Sequence, residues 1–132
     1  MSHKNHPKCL LYLSVDNNYS VMNEKDQTVL IDGITVPVET LGIYDLNVMQ
    51  VTAGTNGYQG GDTGHGGRTY FSLGCDATDM RVKVIEKYRG ACYETEDADT
   101  VEIVFGGDAE LDTFIQALEF TLQTLKKQLQ KQ

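Results

Sequence analysis

Apolar and polar residues alternate along much of this chain, and a period of two predicts β-strands. The alternation is clearest in Met80-Arg81-Val82-Lys83-Val84-Ile85 and returns over residues 101–105. Further strand-like runs cover residues 8–15, 19–22, 28–31, 34–38, 46–52 and 68–73. Residues 8–105 are therefore expected to be rich in strands, most of them antiparallel.

The strongest local signal is Asp32-Gly33, which lies between two β-branched runs. Both central residues of a two-residue hairpin turn need positive φ, which Asp and Gly tolerate, so a tight hairpin is predicted here. Pro37 follows in the second strand and has no N–H to donate to a ladder. This strand is therefore expected at an edge of the sheet.

The period changes to that of an α-helix after Gly106-Gly107. Asp108 is the predicted N-cap, and the helix is expected over about residues 108–130. Its apolar residues form one stripe: Leu111, Phe114, Ile115, Leu118, Leu122, Leu125 and Leu129. The sequence thus predicts an α+β fold in a single domain, residues 1–132, with a mainly antiparallel sheet and a long C-terminal amphipathic helix.

The apolar stripe has two interpretations: the helix packs on its own sheet, or it contacts a neighbouring subunit. A helix of about 22 residues is roughly 33 Å long, which is long for the sheet of a small domain. Phe120 lies on the opposite face and has no partner within the helix. These features favour a homo-oligomer, a dimer or larger, assembled through the helix.

Charge and composition argue against several classes of function and cellular location. The net charge is −8, which argues against a duplex-DNA partner, since such proteins neutralise phosphates. The longest apolar runs are too short for a membrane helix, and the polar start does not resemble a signal peptide, so a cytoplasmic protein is expected. Cys9, Cys75 and Cys92 lack C-x-x-C spacing, which favours reduced thiols over a disulfide or a zinc site.

Seven of the thirteen glycines lie between Gly54 and Gly67, in a segment flanked by two predicted strands. Ordering so much glycine is entropically expensive. The segment is either a flexible connection or a loop whose backbone closely approaches a ligand, as in an anion-binding nest. Its other residues include Asn, Tyr, Gln, Asp, His and Arg, a composition more typical of recognition than of a linker.

The side chains around this segment suit a nucleotide-like anion. Aromatic rings stack on bases, and arginine pairs with phosphate in a fork geometry. The predicted ligand-binding residues are Asn56, Tyr58, Asp62, His65, Arg68, Tyr70, Phe71, Arg81 and Arg89. No catalytic residue, cofactor or metal is predicted.

Asp62 and His65 leave alternatives open. In a small hydrolase or transferase, His65 would be the general base and Asp62 would orient it. As metal ligands they are too few. They can also simply hold the turns of the loop, and the loop itself can pack against a neighbouring subunit in a ligand-free interaction module. The glycine spacing matches neither a dinucleotide fingerprint nor a P-loop.

Two segments together carry a family resemblance. They are Ala53-Gly54-Thr55-Asn56-Gly57 with Gly60-Gly61-Asp62-Thr63-Gly64-His65-Gly66 and Arg68-Thr69, and Val104-Phe105-Gly106-Gly107-Asp108-Ala109-Glu110-Leu111 with the helix after it. From residue 43 to the end, the chain resembles small phage and prophage proteins, and the closest named group is the first-described Thoeris anti-defence proteins.

The resemblance implies a phage-encoded sponge. Such a protein would bind, without cleaving it, the cyclic ADP-ribose isomer made by host TIR enzymes, in the cytoplasm of the infected cell. The family also implies oligomers, β-rich cores with long helices, and separate sites for cyclic oligonucleotides. The acidic charge of this chain departs from that expectation and gives the arginines more weight.

Overall fold

The computed structural model describes residues 10–16, 19–46, 48–76, 80–88, 90–95 and 99–131, and confirms the α+β fold class. The strands are β1 Leu10–Asp16, β2 Tyr19–Ile31, β3 Ile34–Tyr44, β4 Val48–Thr55, β5 Arg68–Asp76, β6 Val82–Glu86, β7 Ala91–Thr95 and β8 Thr100–Gly106. A 3₁₀ turn, η1, covers Thr63–His65, and the helix α1 covers Asp108–Gln130.

Six of these strands form one antiparallel sheet in the order β1-β2-β3-β4-β5-β8. Sequential neighbours pair by hairpin connections, as the alternating pattern predicts. The β6-β7 hairpin leaves the sheet between β5 and β8 and forms a two-stranded sheet of its own. Strand β7 was not among the predicted strands.

The predicted Asp32-Gly33 turn is confirmed. Both residues have positive φ, 51° and 79°, and Ile31 pairs with Ile34 across the turn. The edge position predicted from Pro37 is wrong, because β3 pairs with β2 on one side and β4 on the other. The proline is tolerated because the β3-β4 ladder begins only at Glu39, so Pro37 lies beyond its end.

The register places apolar side chains on one face of the sheet, called here the helix-side face. Directly paired residues share a face, and the pairs Leu41–Val51, Val51–Leu73, Leu73–Val101 and Phe71–Ile103 run across four strands. The other face carries a small core of Val36, Val38 and Tyr70, with Val29, Ile31 and Ile34 packed against it. This core lies at the β2-β3 hairpin end.

Helix α1 packs near its start on the described part of the helix-side face. The Phe114 ring lies 4.7 Å from that of Phe105 and 5.6 Å from that of Phe71, between ring centroids. Leu111 is buried, with 6% of its surface exposed, whereas the apolar side chains from Ile115 onward are exposed. The helix therefore begins on the sheet and extends beyond the contact that holds it.

The predicted N-cap is wrong by one position. Gly107 is the N-cap and makes no side-chain cap hydrogen bond, while Asp108 is the first helical residue. The physical reason is that the Asp108 carboxylate accepts hydrogen bonds from another segment, described below. Over the described residues, none of the helical structure combines the length and apolar character needed to cross a bilayer.

Candidate functional site

The glycine-rich segment forms an ordered connection between two neighbouring strands. Strand β4 runs to Thr55 and β5 begins at Arg68, so the glycine loop, defined here as residues 56–67, joins an antiparallel pair. Gly54 itself lies in β4, where a Cβ would overlap the Pro37 carbonyl oxygen. A glycine is needed there because the neighbouring backbone approaches too closely for a side chain.

Asn56 closes the base of the loop. Its side-chain amide donates to the Gly66 carbonyl oxygen at 2.9 Å, and its Oδ1 accepts from the Arg68 backbone N–H at 2.8 Å. Its own backbone N–H donates to the Arg68 carbonyl oxygen at 3.2 Å. One side chain therefore joins the two ends of the loop and continues the strand pairing into it.

Arg68 organises the loop from the other side. Its Nη1 donates to the carbonyl oxygens of Thr63 and Gly67, both at 2.8 Å, and its Nε donates to the Asp32 carboxylate at 2.9 Å. Only 12% of the Arg68 side chain is exposed. Asp32 belongs to the β2-β3 turn, so this ion pair fixes the loop against the tip of that hairpin.

Two aspartates at the start of α1 hold the opposite side of the loop. The Asp108 carboxylate accepts from the backbone N–H groups of Gln59, at 2.8 Å, and Gly60, at 2.9 Å. The Tyr58 hydroxyl donates to Asp112, and this hydrogen bond raises the Tyr58 pKa above its usual value. The loop was expected to offer backbone N–H groups to an anionic ligand. The N–H groups of Gln59 and Gly60 instead bind a carboxylate of the chain itself.

Asp62 and His65 form a small exposed unit. Asp62 caps the η1 turn by accepting from the Gly64 backbone N–H at 3.0 Å, and its carboxylate lies 3.3 Å from His65 Nδ1. The Gly64 hydrogen bond and the His65 contact lower the Asp62 pKa. The described residues hold no group of three potential metal ligands. The pair is therefore both a turn-holding contact and an accessible imidazole–carboxylate pair.

The remaining aromatic predictions fall inside the protein. Tyr70 is buried in the small core on the face of the sheet opposite the helix-side face, and its hydroxyl donates to Glu102. Burial, then the Glu102 hydrogen bond, raises the Tyr70 pKa. Phe71 is half-buried on the helix-side face, against the Phe114 ring. Within one chain, both rings are used in packing, whereas Tyr58 is exposed.

The structure does not bring Arg81 to the glycine loop. The Met80 sulfur lies 3.5 Å from Cys75 Sγ, so Arg81, the next residue, starts near the far end of β5. Seven residues of extended strand separate Cys75 from Arg68, roughly 23 Å at 3.3 Å per residue. Arg89 lies outside the described residues.

The site therefore consists of an ordered loop with an exposed rim. The rim is defined by Tyr58, Gln59, Gly60, Asp62 and His65, all of them exposed. Its local charge is acidic, because Asp62, Asp108 and Asp112 surround it and Arg68 is already paired with Asp32. The imidazole of His65 is the basic group that the rim itself presents.

Sequence reasoning missed the three aspartates that hold the loop: Asp32, Asp108 and Asp112. Asp32 and Asp108 were assigned to the hairpin turn and to a helix cap, which are roles within their own elements. Asp108 accepts from two backbone N–H groups of the loop, Asp32 accepts from the Arg68 guanidinium, and Asp112 accepts from the Tyr58 hydroxyl. No local signal in the sequence places these carboxylates beside the loop. Their partners are 36 to 54 residues away in sequence.

A second concave surface lies on the sheet itself. It has a volume of about 720 Å³ and is lined by β2, β3 and β4, including Lys25, Glu39 and Leu41. It adjoins a bulge in β2, where Asp26 has a positive φ of 62°. Two of its polar side chains bond each other, since the Thr40 hydroxyl donates to the Gln27 side-chain oxygen at 2.8 Å. It is a shallow depression without converging groups.

Comparisons with protein-family models, curated proteins and solved structures give no match for this chain. The location of a binding surface is therefore argued from the geometry of the loop and its rim.

Proposed function

We propose that this protein binds and sequesters a small nucleotide-type immune signal without cleaving it, using the rim of the glycine loop. The ligand class is a cyclic ADP-ribose isomer or, as the alternative, a cyclic oligonucleotide. In this proposal the protein is a phage-encoded anti-defence sponge that acts in the cytoplasm of an infected bacterium. The ligand class and the biological setting follow from the family resemblance.

The order of the loop is the observation that supports binding. Asn56 and Arg68 donate hydrogen bonds to the loop backbone, and Asp108 and Asp62 accept hydrogen bonds from it. These bonds fix a glycine-rich backbone that would otherwise be mobile. The side chains at its tip nevertheless remain exposed. A surface that is rigid before binding loses little entropy when it binds, which is the physical basis of preorganised recognition.

The rim offers groups for recognition. The exposed Tyr58 ring suits stacking on a nucleobase, Gln59 carries an amide, and His65 can pair with phosphate when protonated. Asp108 holds amides that a phosphate can also bind, so an anionic ligand competes with that carboxylate.

A hydrolase remains the second candidate because Asp62 contacts His65 Nδ1 at 3.3 Å. This contact would orient an imidazole that acts as a general base on water. Sequestration and hydrolysis differ in one outcome, the chemical state of the ligand after it leaves the protein.

We further propose that the sponge works as a homo-oligomer, a dimer or larger, assembled through α1. Support comes from the helix residues beyond Phe114, whose apolar side chains are exposed in the isolated chain. Burying a large apolar side chain contributes about 1.5–3 kcal/mol.

The decisive experiment is to incubate the purified protein with the product of an activated TIR enzyme and, separately, with a cyclic dinucleotide. After filtration and heat denaturation, mass spectrometry identifies what is released. Intact ligand supports the sponge, a linear product supports the Asp62–His65 hydrolase, and no release in either mixture refutes ligand binding.

Variants of the rim locate the site. Tyr58→Ala and His65→Ala are expected to weaken binding at least about tenfold in calorimetry, as for the loss of one stacking or charge-assisted contact. Tyr88→Ala is the matched control, since Tyr88 is a fully exposed tyrosine in the β6-β7 hairpin. Arg68→Ala is less informative, because removing Arg68 also releases the loop backbone that it holds.

A further inference from the structure

The exposed half of α1 carries a seven-residue repeat. Its apolar residues Ile115, Leu118, Leu122, Leu125 and Leu129 are spaced by three, four, three and four. This spacing is the heptad pattern of a coiled coil, in which alternate positions form one narrow seam. A helix packed on a sheet needs a wider stripe, so the pattern favours a helix as partner.

The residues that the structure describes leave the seam uncovered. Leu118, Leu122, Leu125 and Leu129 are between 44% and 68% exposed, whereas Leu111 at the start of the helix is 6% exposed. The described residues of the fold contact α1 through its first two turns. The segment that needs a partner is therefore residues 118–129, which we call the seam.

We propose that the seam pairs with the seam of a second copy in antiparallel orientation, with Leu122 packed against Leu125 of the partner subunit. This proposal rests on assembly through α1 and adds its orientation and register. The same register places Leu118 against Leu129 of the partner subunit. Four leucines from each chain then bury one another, and the two sheets lie at opposite ends of the pair.

Charge selects this register. The positions flanking the seam on one side are Glu119 and Lys126. In the antiparallel pair each Glu119 lies near Lys126 of the partner subunit, offset by about 3 Å along the axis at 1.5 Å per residue. The two-fold symmetry forms this contact twice, so both flanking pairs are attractive.

A shifted antiparallel register and a parallel pair both lose the attraction between Glu119 and Lys126 of the partner subunit. Moving the register one heptad toward the helix start would bring the two Glu119 side chains together and would require Leu111, which is already buried on its own sheet. A parallel pair would set Glu119 beside Phe114 and Lys126 beside Thr121, without any opposite-charge contact.

The test uses charge reversal in the full chain, with sedimentation velocity as the readout. Glu119→Lys alone and Lys126→Glu alone are each expected to weaken self-association roughly 10- to 30-fold, because both flanking pairs become repulsive. Mixing the two variants is expected to restore association as a heterodimer, since every flanking pair is again opposite in charge.

Lys127→Glu is the matched control. It makes the same change in charge one residue further along, on the side of the helix away from the seam, and is expected to leave association unchanged. Circular dichroism of each variant checks that the helix is retained.

The outcomes separate the register from assembly itself. Restoration in the mixture but in neither single variant supports the antiparallel register. If the protein is an oligomer and neither charge reversal weakens its association, the antiparallel register is wrong. That result would not contradict assembly through α1. A wild-type chain that is monomeric at all concentrations overturns both, and leaves the ligand-release experiment as an independent test of the sponge.

Discussion

At the residue scale, the glycine loop owes its shape to a few polar side chains that reach backbone groups. Asn56 has a donor and an acceptor at opposite sides of one planar amide, and it uses both across the base of the loop. Arg68 reaches two carbonyl oxygens at once because its donors are fixed in a plane. The role of Asn56 requires a donor and an acceptor in one side chain, whereas that of Arg68 requires several donors in one plane.

The first prediction concerns Asn56. Asn56→Ala removes two side-chain hydrogen bonds and is expected to lower the free energy of unfolding by about 1–3 kcal/mol. Urea denaturation followed by fluorescence or circular dichroism measures the change. Gln59→Ala is the matched control, because that exposed amide makes a single bond to the Asn56 carbonyl oxygen. Equal effects of the two substitutions would show that Asn56 does not close the loop.

The second prediction concerns alkaline pH and Tyr70. Burial and the Glu102 hydrogen bond raise the Tyr70 pKa above its usual 10.0. Its contribution to stability is complete below the unfolded pKa and is lost as the pH rises through the folded pKa, because the unfolded state then releases the proton more readily. The stability advantage of wild type over Tyr70→Phe is therefore expected to shrink above pH 10. Denaturation at several pH values tests it, and a constant difference would contradict it.

At the element scale, the hairpin and the helix were predictable because their signals are local. Asp32-Gly33 satisfies the turn by its own φ preferences, and the helix bounds follow from a break at Gly107 and a continuous period of 3.6. The position of β3 was not predictable from Pro37, because an edge is defined by which neighbour pairs with which residues. That depends on β4, whose ladder stops two residues before the proline.

The third prediction concerns how α1 is attached to the sheet. Phe114→Ala removes the ring that contacts both Phe71 and Phe105, and is expected to destabilise the protein by about 2 kcal/mol, less than a fully buried aromatic. Phe120→Ala is the control, since that ring is 69% exposed and outside the contact. Thermal or urea unfolding gives both values. If Phe120→Ala lowers the stability more than Phe114→Ala does, the helix is not attached to the sheet through Phe114.

At the scale of the whole molecule, the described part of the chain leaves much apolar surface exposed. Among the described residues, the main enclosed regions are the small core around Val36, Val38 and Tyr70 and the contact of Phe114 with Phe105. The helix-side face of the sheet and the seam are covered only in part. Assembly provides the simplest cover for such surfaces, since the hydrophobic effect does not distinguish residues of one chain from those of another.

The fourth prediction follows from that surface. If folding and assembly are coupled, mass action makes the melting temperature rise with protein concentration. We expect an increase over a 100-fold concentration range by scanning calorimetry, and a lower melting temperature without this dependence for Leu122→Ala combined with Leu125→Ala. A wild-type melting temperature that is independent of concentration would contradict coupled assembly.

The sequence by itself determined the α+β class, the Asp32-Gly33 hairpin and the C-terminal helix, because strand alternation, the hairpin turn and the helical period are carried by residues close together in the chain. It also marked the glycine loop as unusual, and it named Asn56 and Asp62 within the loop and Arg68 at its end. Only the tertiary structure decided what those residues contact. Asp32, Asp108 and Asp112 come from two distant elements, and their carboxylates reach the loop only once the sheet has brought the hairpin tip and the helix start to its sides.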